Sequence, residues 1–195
     1  MQTIKKNKNI KEIVTALKKG AVLVCPTDTV YGLVCDATNK KAVEKIYKIK
    51  KRPKSKSLPV FVKDIKMAKK YAAISKVQEG IIKERWPGAF TFVLKAKKGL
   101  SPLVYKNNTI ALRQPNYKMI IEIIKLLRKP LAQTSANISN YSATTKIKEV
   151  IKYFKDKKIQ PDMIPDMIIN VGDLPKNKPS VIIDLTKDNI KILRK

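Results

Sequence analysis

The 195-residue chain contains no histidine. That absence removes every Ser–His or Cys–His nucleophile pair and every imidazole general base. Cysteine is almost as scarce: Cys25 and Cys35 are too few for a disulfide framework or a Cys/His metal cluster. With no imidazole to activate them, both thiols read as small core residues. Acidic side chains number 15 against 43 Lys plus Arg, for a formal charge of +28. No apolar run approaches the roughly 20 residues of a membrane-spanning helix. The opening Met1-Gln2-Thr3-Ile4-Lys5-Lys6 also lacks an apolar signal core. A cytoplasmic, reducing setting with no membrane association is the expectation. No Gly-x-x-x-x-Gly-Lys segment occurs, so any phosphate must be held by something other than a P-loop.

What is present is enough for a globular core. Apolar residues make up 44%, and the length fits a single domain over 1–195. Of the 43 basic residues only five are arginine, at positions 52, 85, 113, 128 and 194. The lysines are spread along the chain, in runs such as Lys5-Lys6, Lys40-Lys41 and Lys157-Lys158, and read first as solvated surface. Their summed field still attracts polyanions. The retained arginines are the sharper clue, because a planar guanidinium fits carboxylate and phosphate.

Hydrophobic spacing predicts alternating helices and strands. Asn9 caps a helix carrying Ile10, Ile13, Val14 and Leu17, and Gly20 stops it. Ala21–Val24 is a short buried strand ended by Pro26. Asn39 to about Lys50 is a second helix closed by Pro53. Leu58–Val62 predicts a strand begun at a sheet edge, because Pro59 has no N–H to donate. Helices near Asp64–Tyr71 and Ser75–Arg85 precede strands at Phe90–Leu94 and Thr109–Arg113, with the lysine-rich stretch between those strands read as loop. A helix from Met119 to about Arg128, a short strand Leu131–Gln133 and a helix Thr145–Lys155 follow. Strands at Met167–Val171, Val181–Leu185 and Ile190–Leu193 complete the chain, with Lys176–Pro179 as a surface loop. The predicted class is α/β, in an α+β layered form: a twisted mixed β-sheet flanked by helices.

Several clusters carry chemistry. Cys25-Pro26-Thr27-Asp28-Thr29-Val30-Tyr31-Gly32-Leu33 delivers two hydroxyls and a carboxylate onto a loop after a buried strand. That is a common way to build a small-molecule site, and an ST-turn is its alternative. Gly32 reads there as a backbone conformation other residues avoid. Lys50 and Arg52 lie two apart beyond a helix and can converge on one anion; a basic helix terminus is the alternative. Ser135 and Asn137, two apart in extended chain, point the same way, unless they merely form a turn. Thr144 precedes a helix, where a hydroxyl and free N–H groups suit phosphate. Arg113 ends an apolar strand without an acidic sequence neighbour, so a buried guanidinium there needs a carboxylate or phosphate; an exposed strand end is the other reading. Trp86-Pro87-Gly88 reads as a turn anchored in the core, and Tyr31 is left unassigned.

Taken in register from about Ala21 to Arg194, these pieces stand in one order: Pro26–Leu33, Lys50-x-Arg52-Pro53, Trp86-Pro87-Gly88, Leu112-Arg113-x-Pro115, Ser135-Ala136-Asn137 and Ile192-Leu193-Arg194. That order resembles the YrdC/TsaC family of threonylcarbamoyl-AMP synthases. The resemblance implies a YrdC-like fold and a nucleotidyltransferase. Its substrates would be L-threonine, bicarbonate or CO2, and ATP; its products would be threonylcarbamoyl-AMP and pyrophosphate, for the N6-threonylcarbamoyladenosine modification of tRNA. It implies catalytic roles for Lys50 and Arg52, with ATP also held by Thr109, Ser135, Asn137, Thr144 and Arg194. L-Threonine would be held by Thr27, Thr29, Arg113, Ser135 and Ser180. Mg2+ would arrive with ATP, with no metal site on the protein. Implied partners are the proteins that transfer the threonylcarbamoyl group and, through the basic surface, tRNA or double-stranded RNA. A base, if one acts, is Asp28 or another substrate.

The chain departs from the family pattern at several places. Phe61 stands near the place of a family histidine, Val181 replaces the threonine of a Ser-Thr pair after Ser180, and Lys195 replaces a proline after Arg194. Asn140, Tyr141 and Ser142 replace a Gly- and Pro-containing loop. Three rival readings remain open from sequence: a plain RNA-binding protein, a carbamoyl-adenylate module of hydrogenase maturation, and a dihydroxybutanone-phosphate synthase.

Overall fold

The computed structural model describes residues 2–5, 9–139, 141–154, 160–187 and 189–194. Helix α1 (Ile10–Lys18) begins where Asn9 Oδ1 accepts the Lys11 N–H, and it buries Ile13, Val14 and Leu17. Helix α2 (Lys40–Lys50) is capped by Asn39 and ends at Lys51 in the left-handed region, two residues before Pro53. Asp64 caps α3 (Ile65–Tyr71), and Ser75 with Gln78 forms a capping box on α4 (Lys76–Lys83). Helices α5 (Lys118–Leu127) and α6 (Ile147–Phe154) complete the set. The last residue of the expected final helix, Lys155, lies outside the described residues, as do Lys157, Lys158 and Lys195.

Among the described residues, eleven strands form one sheet. They are β1 (Gln2–Lys5), β2 (Leu23–Cys25), β3 (Gly32–Asp36), β4 (Val60–Phe61), β5 (Phe90–Lys95), β6 (Tyr105–Lys106), β7 (Thr109–Arg113), β8 (Leu131–Ser135), β9 (Met167–Asn170), β10 (Val181–Asp184) and β11 (Lys191–Arg194). The order across the sheet is β1-β9-β2-β3-β8-β4-β7-β5-β10-β11, with β6 attached to β7. Parallel pairs (β1·β9, β2·β9, β4·β7, β5·β10) mix with antiparallel ones, so the expected mixed sheet with flanking helices is the observed architecture.

Four local expectations change. First, β4 is central, between β8 and β7, not at an edge. Pro59 sits just outside it and contributes its carbonyl to Gln133 N–H (2.9 Å), so its missing donor costs no ladder bond. Second, β3 follows the threonine loop directly and pairs antiparallel with β2, making residues 26–31 the loop of a hairpin. Leu33-Val34-Cys35 is fully buried on both faces and so lacks the alternation that marks a half-buried strand. Gly32 serves close approach here and not an unusual φ, because a Cβ would lie 3.2 Å from the Thr134 carbonyl of β8. Third, the stretch read as loop holds a 3-10 turn (Pro102–Val104) and β6. Fourth, β8 extends to Ser135 and carries that hydroxyl into the sheet, while β1 has no counterpart among the strands that spacing predicts.

The core fills the sheet's interior faces with Leu33, Val60, Phe92 and Leu112, packed under α1, α2 and α5. Cys25 and Cys35 are buried there as free thiols, and burial raises both pKa values. They are core residues, as the missing imidazole suggests.

Candidate functional site

One cavity of about 670 Å³ opens on the face of the sheet where β5, β7, β8, β10 and β11 converge. Strand register builds its floor. Asp184 of β10 pairs with Val93 of β5, and Val93 with Ala111 of β7, so one row of side chains faces the same way. Ser180 and Ile182 share that parity with Asp184, as Thr109 and Arg113 share it with Ala111. The cavity wall then takes Thr29 from the hairpin loop, Arg52 from beyond α2, and Ser135 and Asn137 from the end of β8. Arg194 closes the far side. A smaller cavity of about 360 Å³ adjoins it through Arg52, Ser135 and Asn137 and is lined by Lys50. Residues up to about 165 positions apart in sequence therefore border one continuous space, counting from Thr29 to Arg194.

Proton accounting separates the two threonines of the loop. Thr27 Oγ1 donates to the Val30 carbonyl (2.7 Å) and accepts the Thr29 N–H (3.0 Å). With that proton committed, the 3.0 Å contact between the two hydroxyls has Thr29 donating to Thr27. Thr27 is thus the turn-forming hydroxyl, buried and not among the residues lining the cavity, apart from the position its expected substrate contact would need. Thr29 faces the cavity with acceptor capacity and takes a 3.3 Å hydrogen bond from Arg113 Nη1.

Arg113 is 2% exposed and, contrary to the sequence reading, has an acidic partner. Its Nη2 lies 2.7 Å from Asp28 Oδ1, and its Nε donates to the Gly88 carbonyl at 3.0 Å. Desolvation lowers its pKa, Asp28 opposes that, and nearby Arg194 adds to the lowering. Phe61, in the place of the family histidine, is buried under this guanidinium, whose carbon lies 5.6 Å from the ring centroid. Asp28 also accepts Asn116 N–H (2.9 Å), so it is a bonded counter-ion and not a free base. The Trp86-Pro87-Gly88 turn is structural, in line with its sequence: Trp86 Nε1 donates to the Phe90 carbonyl and the turn presents Gly88 to Arg113.

At the other end, Lys50 is buried and its ammonium meets three oxygens: Ser135 O (2.8 Å), Asn137 O (2.8 Å) and Asn137 Oδ1 (2.7 Å). Burial lowers its pKa to about 7, and the Arg52 charge adds to that. The three acceptors act in the opposite sense and suit the ammonium. The Lys50 head therefore holds the Ser135–Asn137 loop in place and does not stand free beside Arg52 as spacing suggests. Ser135 Oγ donates to Asn137 Oδ1 (2.5 Å), and Asn137 Nδ2 donates to the Tyr141 carbonyl. Tyr141 lines the cavity, whereas Asn140 lies outside the described residues. Arg52 donates to the carbonyls of Lys56 (2.9 Å) and Ser57 (3.0 Å).

Thr109 lines the cavity and donates to Lys106 O (2.7 Å). Thr144 does not line it: its hydroxyl donates to Glu149 and accepts Lys146 N–H at the start of α6. Its hydroxyl thus has a local capping role, and the structure does not bring it together with the residues of the expected phosphate contact. Tyr31, unassigned from sequence, is a buried pillar. Its N–H reaches the Thr144 carbonyl (3.2 Å), its carbonyl accepts Ala136 N–H (2.7 Å), and its hydroxyl donates to Gly172 O (2.6 Å). Sequence reading misses Thr91, whose hydroxyl meets Ser180 Oγ at 2.9 Å, and Asp184, the acid on the cavity wall. Strand parity finds both once the β5·β10 pairing is known, but that pairing spans 89 residues.

Among the described residues no group of three or more His, Cys, Asp or Glu side chains is placed to hold a metal ion. No helix among them is long and apolar enough to cross a membrane.

The profile of the Sua5/YciO/YrdC family, described as telomere recombination, matches residues 15–195. A putative threonylcarbamoyl-AMP synthase of Methanocaldococcus jannaschii is 36% identical over 188 residues, covering 94% of this chain and 86% of that protein. The crystal structure of Escherichia coli YciO superposes with a TM-score of 0.84 at 27% identity, over 100% of this chain and 94% of that one. P. abyssi Sua5, solved in complex with L-threonine, gives a TM-score of 0.86 at 28% identity. The match covers 99% of this chain but spans only 56% of the Sua5 chain. With the motif order, the sheet and the shared cavity in agreement, the chain belongs to the Sua5/YciO/YrdC family.

Proposed function

We propose that this chain is an L-threonylcarbamoyladenylate synthase. The observation that carries the reading is the cavity itself. Hydroxyl and guanidinium groups suited to an amino acid (Thr29, Arg113, Ser180) and groups suited to a nucleotide (Arg52, Ser135, Asn137, Thr109) face one space of about 670 Å³. That volume falls within the range of small-molecule and cofactor pockets. The name of the Methanocaldococcus relative and the L-threonine complex of P. abyssi Sua5 support the same reading.

In this reading Arg113 takes the threonine carboxylate. Three of its five N–H groups are engaged by the protein, which leaves two for the substrate. Thr29 then accepts from the threonine amine side. That amine, as free base, adds to CO2 and loses a proton, giving N-carboxythreonine. The new carboxylate attacks the α-phosphate of ATP, the P–O bond to the β-phosphate breaks, and pyrophosphate leaves. Arg52 offsets charge on the phosphates and Lys50 holds the Ser135–Asn137 loop against them; Mg2+ carried by ATP would add further charge neutralisation. Positioning three reactants supplies much of the acceleration, so no covalent enzyme intermediate is required.

The product, a mixed anhydride, is passed on for N6-threonylcarbamoyladenosine formation in tRNA. Threonylcarbamoyl-transferring proteins and tRNA are the partners this reading names, in a cytoplasmic setting. The test is direct: incubation with L-threonine, bicarbonate and Mg–ATP, followed by mass spectrometry. Threonylcarbamoyl-AMP formed with stoichiometric pyrophosphate is the expected result. RNA binding without any threonine-dependent product would return the chain to the basic RNA-binder reading, and product formation indifferent to threonine would favour the carbamoyl-adenylate reading.

A further inference from the structure

On the cavity wall opposite Thr29, three groups form a short relay whose proton directions follow from hydrogen-bond accounting. Ser180 Oγ lies 3.2 Å from Arg194 Nη2, and Arg194 also grips the Ser180 carbonyl through Nη2 (2.7 Å) and Nε (3.0 Å). A guanidinium only donates, so Ser180 Oγ accepts here. Thr91 Oγ1 lies 2.9 Å from the same Ser180 Oγ. Thr91 is fully buried, and among the described residues its hydroxyl has no other hydrogen-bond partner. Were Ser180 to donate to Thr91, the Thr91 proton would be buried without an acceptor, a penalised state. The favoured arrangement has Thr91 donating to Ser180. Both lone pairs of Ser180 are then occupied, one by Thr91 and one by Arg194, and its own proton is left for the cavity.

We infer that Thr91 is a positioning residue which, with Arg194, makes Ser180 an obligate hydrogen-bond donor toward a substrate carboxylate. The register supports that target. Continuing the Phe92↔Leu112 pairing by one residue sets Thr91 of β5 opposite Arg113 of β7, and Ser180 enters β10 on the other side of β5, so the preset donor and the guanidinium flank Thr91. Both line the same cavity, and two donors converging on it suit the two oxygens of one carboxylate. The position after Ser180 is Val181, so the second hydroxyl beside Ser180 comes from a neighbouring strand and not from the next residue. Thr91 itself touches no substrate, since it is fully buried and does not line the cavity.

The inference rests on the synthase reading, and the experiment separates the two. The full chain is assayed for L-threonine binding by calorimetry and for threonine-dependent pyrophosphate release, as wild type, Thr91→Val, Thr91→Ser, Ser180→Ala and the Thr91→Val/Ser180→Ala double variant. Thr91→Val should raise the Kd and KM for L-threonine about 3- to 10-fold, the worth of one neutral hydrogen bond. The KM for ATP should not move and kcat should change little, while Thr91→Ser restores the wild-type values. In the Ser180→Ala background Thr91→Val should add nothing. Unchanged threonine affinity in Thr91→Val, or a penalty that adds in full to that of Ser180→Ala, overturns the relay while the wild-type activity keeps the synthase reading intact. Should the valine variant not fold, Thr91→Ser against Thr91→Ala carries the same comparison. A wild-type chain that neither binds L-threonine nor forms product overturns both.

Discussion

The two ends of the cavity handle positive charge differently. At the Arg113 end the guanidinium is matched by Asp28 at 2.7 Å, and both side chains are buried, at 3% and 13% exposure. At the Lys50–Arg52 end the hydrogen-bond partners are neutral: carbonyls of Ser135, Asn137, Lys56 and Ser57, the Asn137 amide and the Tyr47 side chain. The Arg113 charge is matched before any ligand binds, with Arg194 the further cation nearby, whereas Lys50 and Arg52 have no acidic hydrogen-bond partner among the described residues. A balanced guanidinium selects by geometry, because its remaining N–H groups are fixed by the ones already bonded. An unmatched guanidinium beside a lysine whose pKa burial lowers to about 7 suits a polyanion such as a triphosphate, whose charge in turn favours the protonated lysine. Under the proposed synthase reading, the difference suits the first end to the amino acid and the second to the phosphates.

The comparison breaks most sharply at Arg52. Arg52→Ala should lower kcat/KM about 10²- to 10³-fold, the scale of removing one stabiliser of developing charge. Circular dichroism should remain native, since the Arg52 side chain bonds nearby groups only, the carbonyls of Lys56 and Ser57 and the Tyr47 side chain. Near-wild-type turnover in that variant would remove phosphate binding from this end.

Next in size is Asp28→Asn. It keeps the shape but leaves Arg113 buried without its counter-ion, so a loss of about 2–4 kcal/mol in stability is expected. That corresponds to a fall in Tm of several degrees, measurable by calorimetry. If the variant is as stable as wild type, the balanced-end argument is wrong.

A third effect is pH-linked and belongs to Lys50. Its folded pKa, lowered to about 7 from 10.5, means the unfolded chain binds more protons between those values. Stability should therefore rise with pH across that window, by about 1–3 kcal/mol once the three opposing oxygen acceptors are considered. Chemical denaturation at pH 7 and pH 10 of wild type and Lys50→Met measures it, and the variant should show the flatter dependence.

Smallest is the response to salt. Raising ionic strength from about 50 to 200 mM should increase the KM for ATP a few-fold while moving the KM for L-threonine less, because only the unbalanced end relies on net charge. Equal shifts would mean the two ends are electrostatically alike.

Much of this site is legible in the amino-acid chain alone. Motif order and residue type mark Thr29, Arg52, Arg113, Ser135, Asn137, Ser180 and Arg194, and all of them border the cavity. Thr27 and Thr144 fall outside it for one reason: a hydroxyl near a turn serves equally as a ligand group or as a local cap, and the cap wins in both cases. Asp28 does not show itself as a counter-ion, because its partner Arg113 is 85 residues away. Helices are well marked, since Asn9, Asn39, Asp64 and Ser75 signal their starts locally. Strand β3 is not, because a strand buried on both faces loses its alternation.

Taken by itself, the sequence determined the layered α/β class, the absence of imidazole chemistry, the helix caps and the residue types able to hold an amino acid and a nucleotide. These follow from composition and from interactions within a few residues. Only the tertiary structure decided which strand lies beside which, and hence that Asp28 balances Arg113, that Lys50 is spent on the Ser135–Asn137 loop, and that Thr91 stands behind Ser180. Hydrogen-bond and charge partners are fixed by distance in space, and in a sheet that joins β5 to β10 and β3 to β8 that distance has no counterpart along the chain.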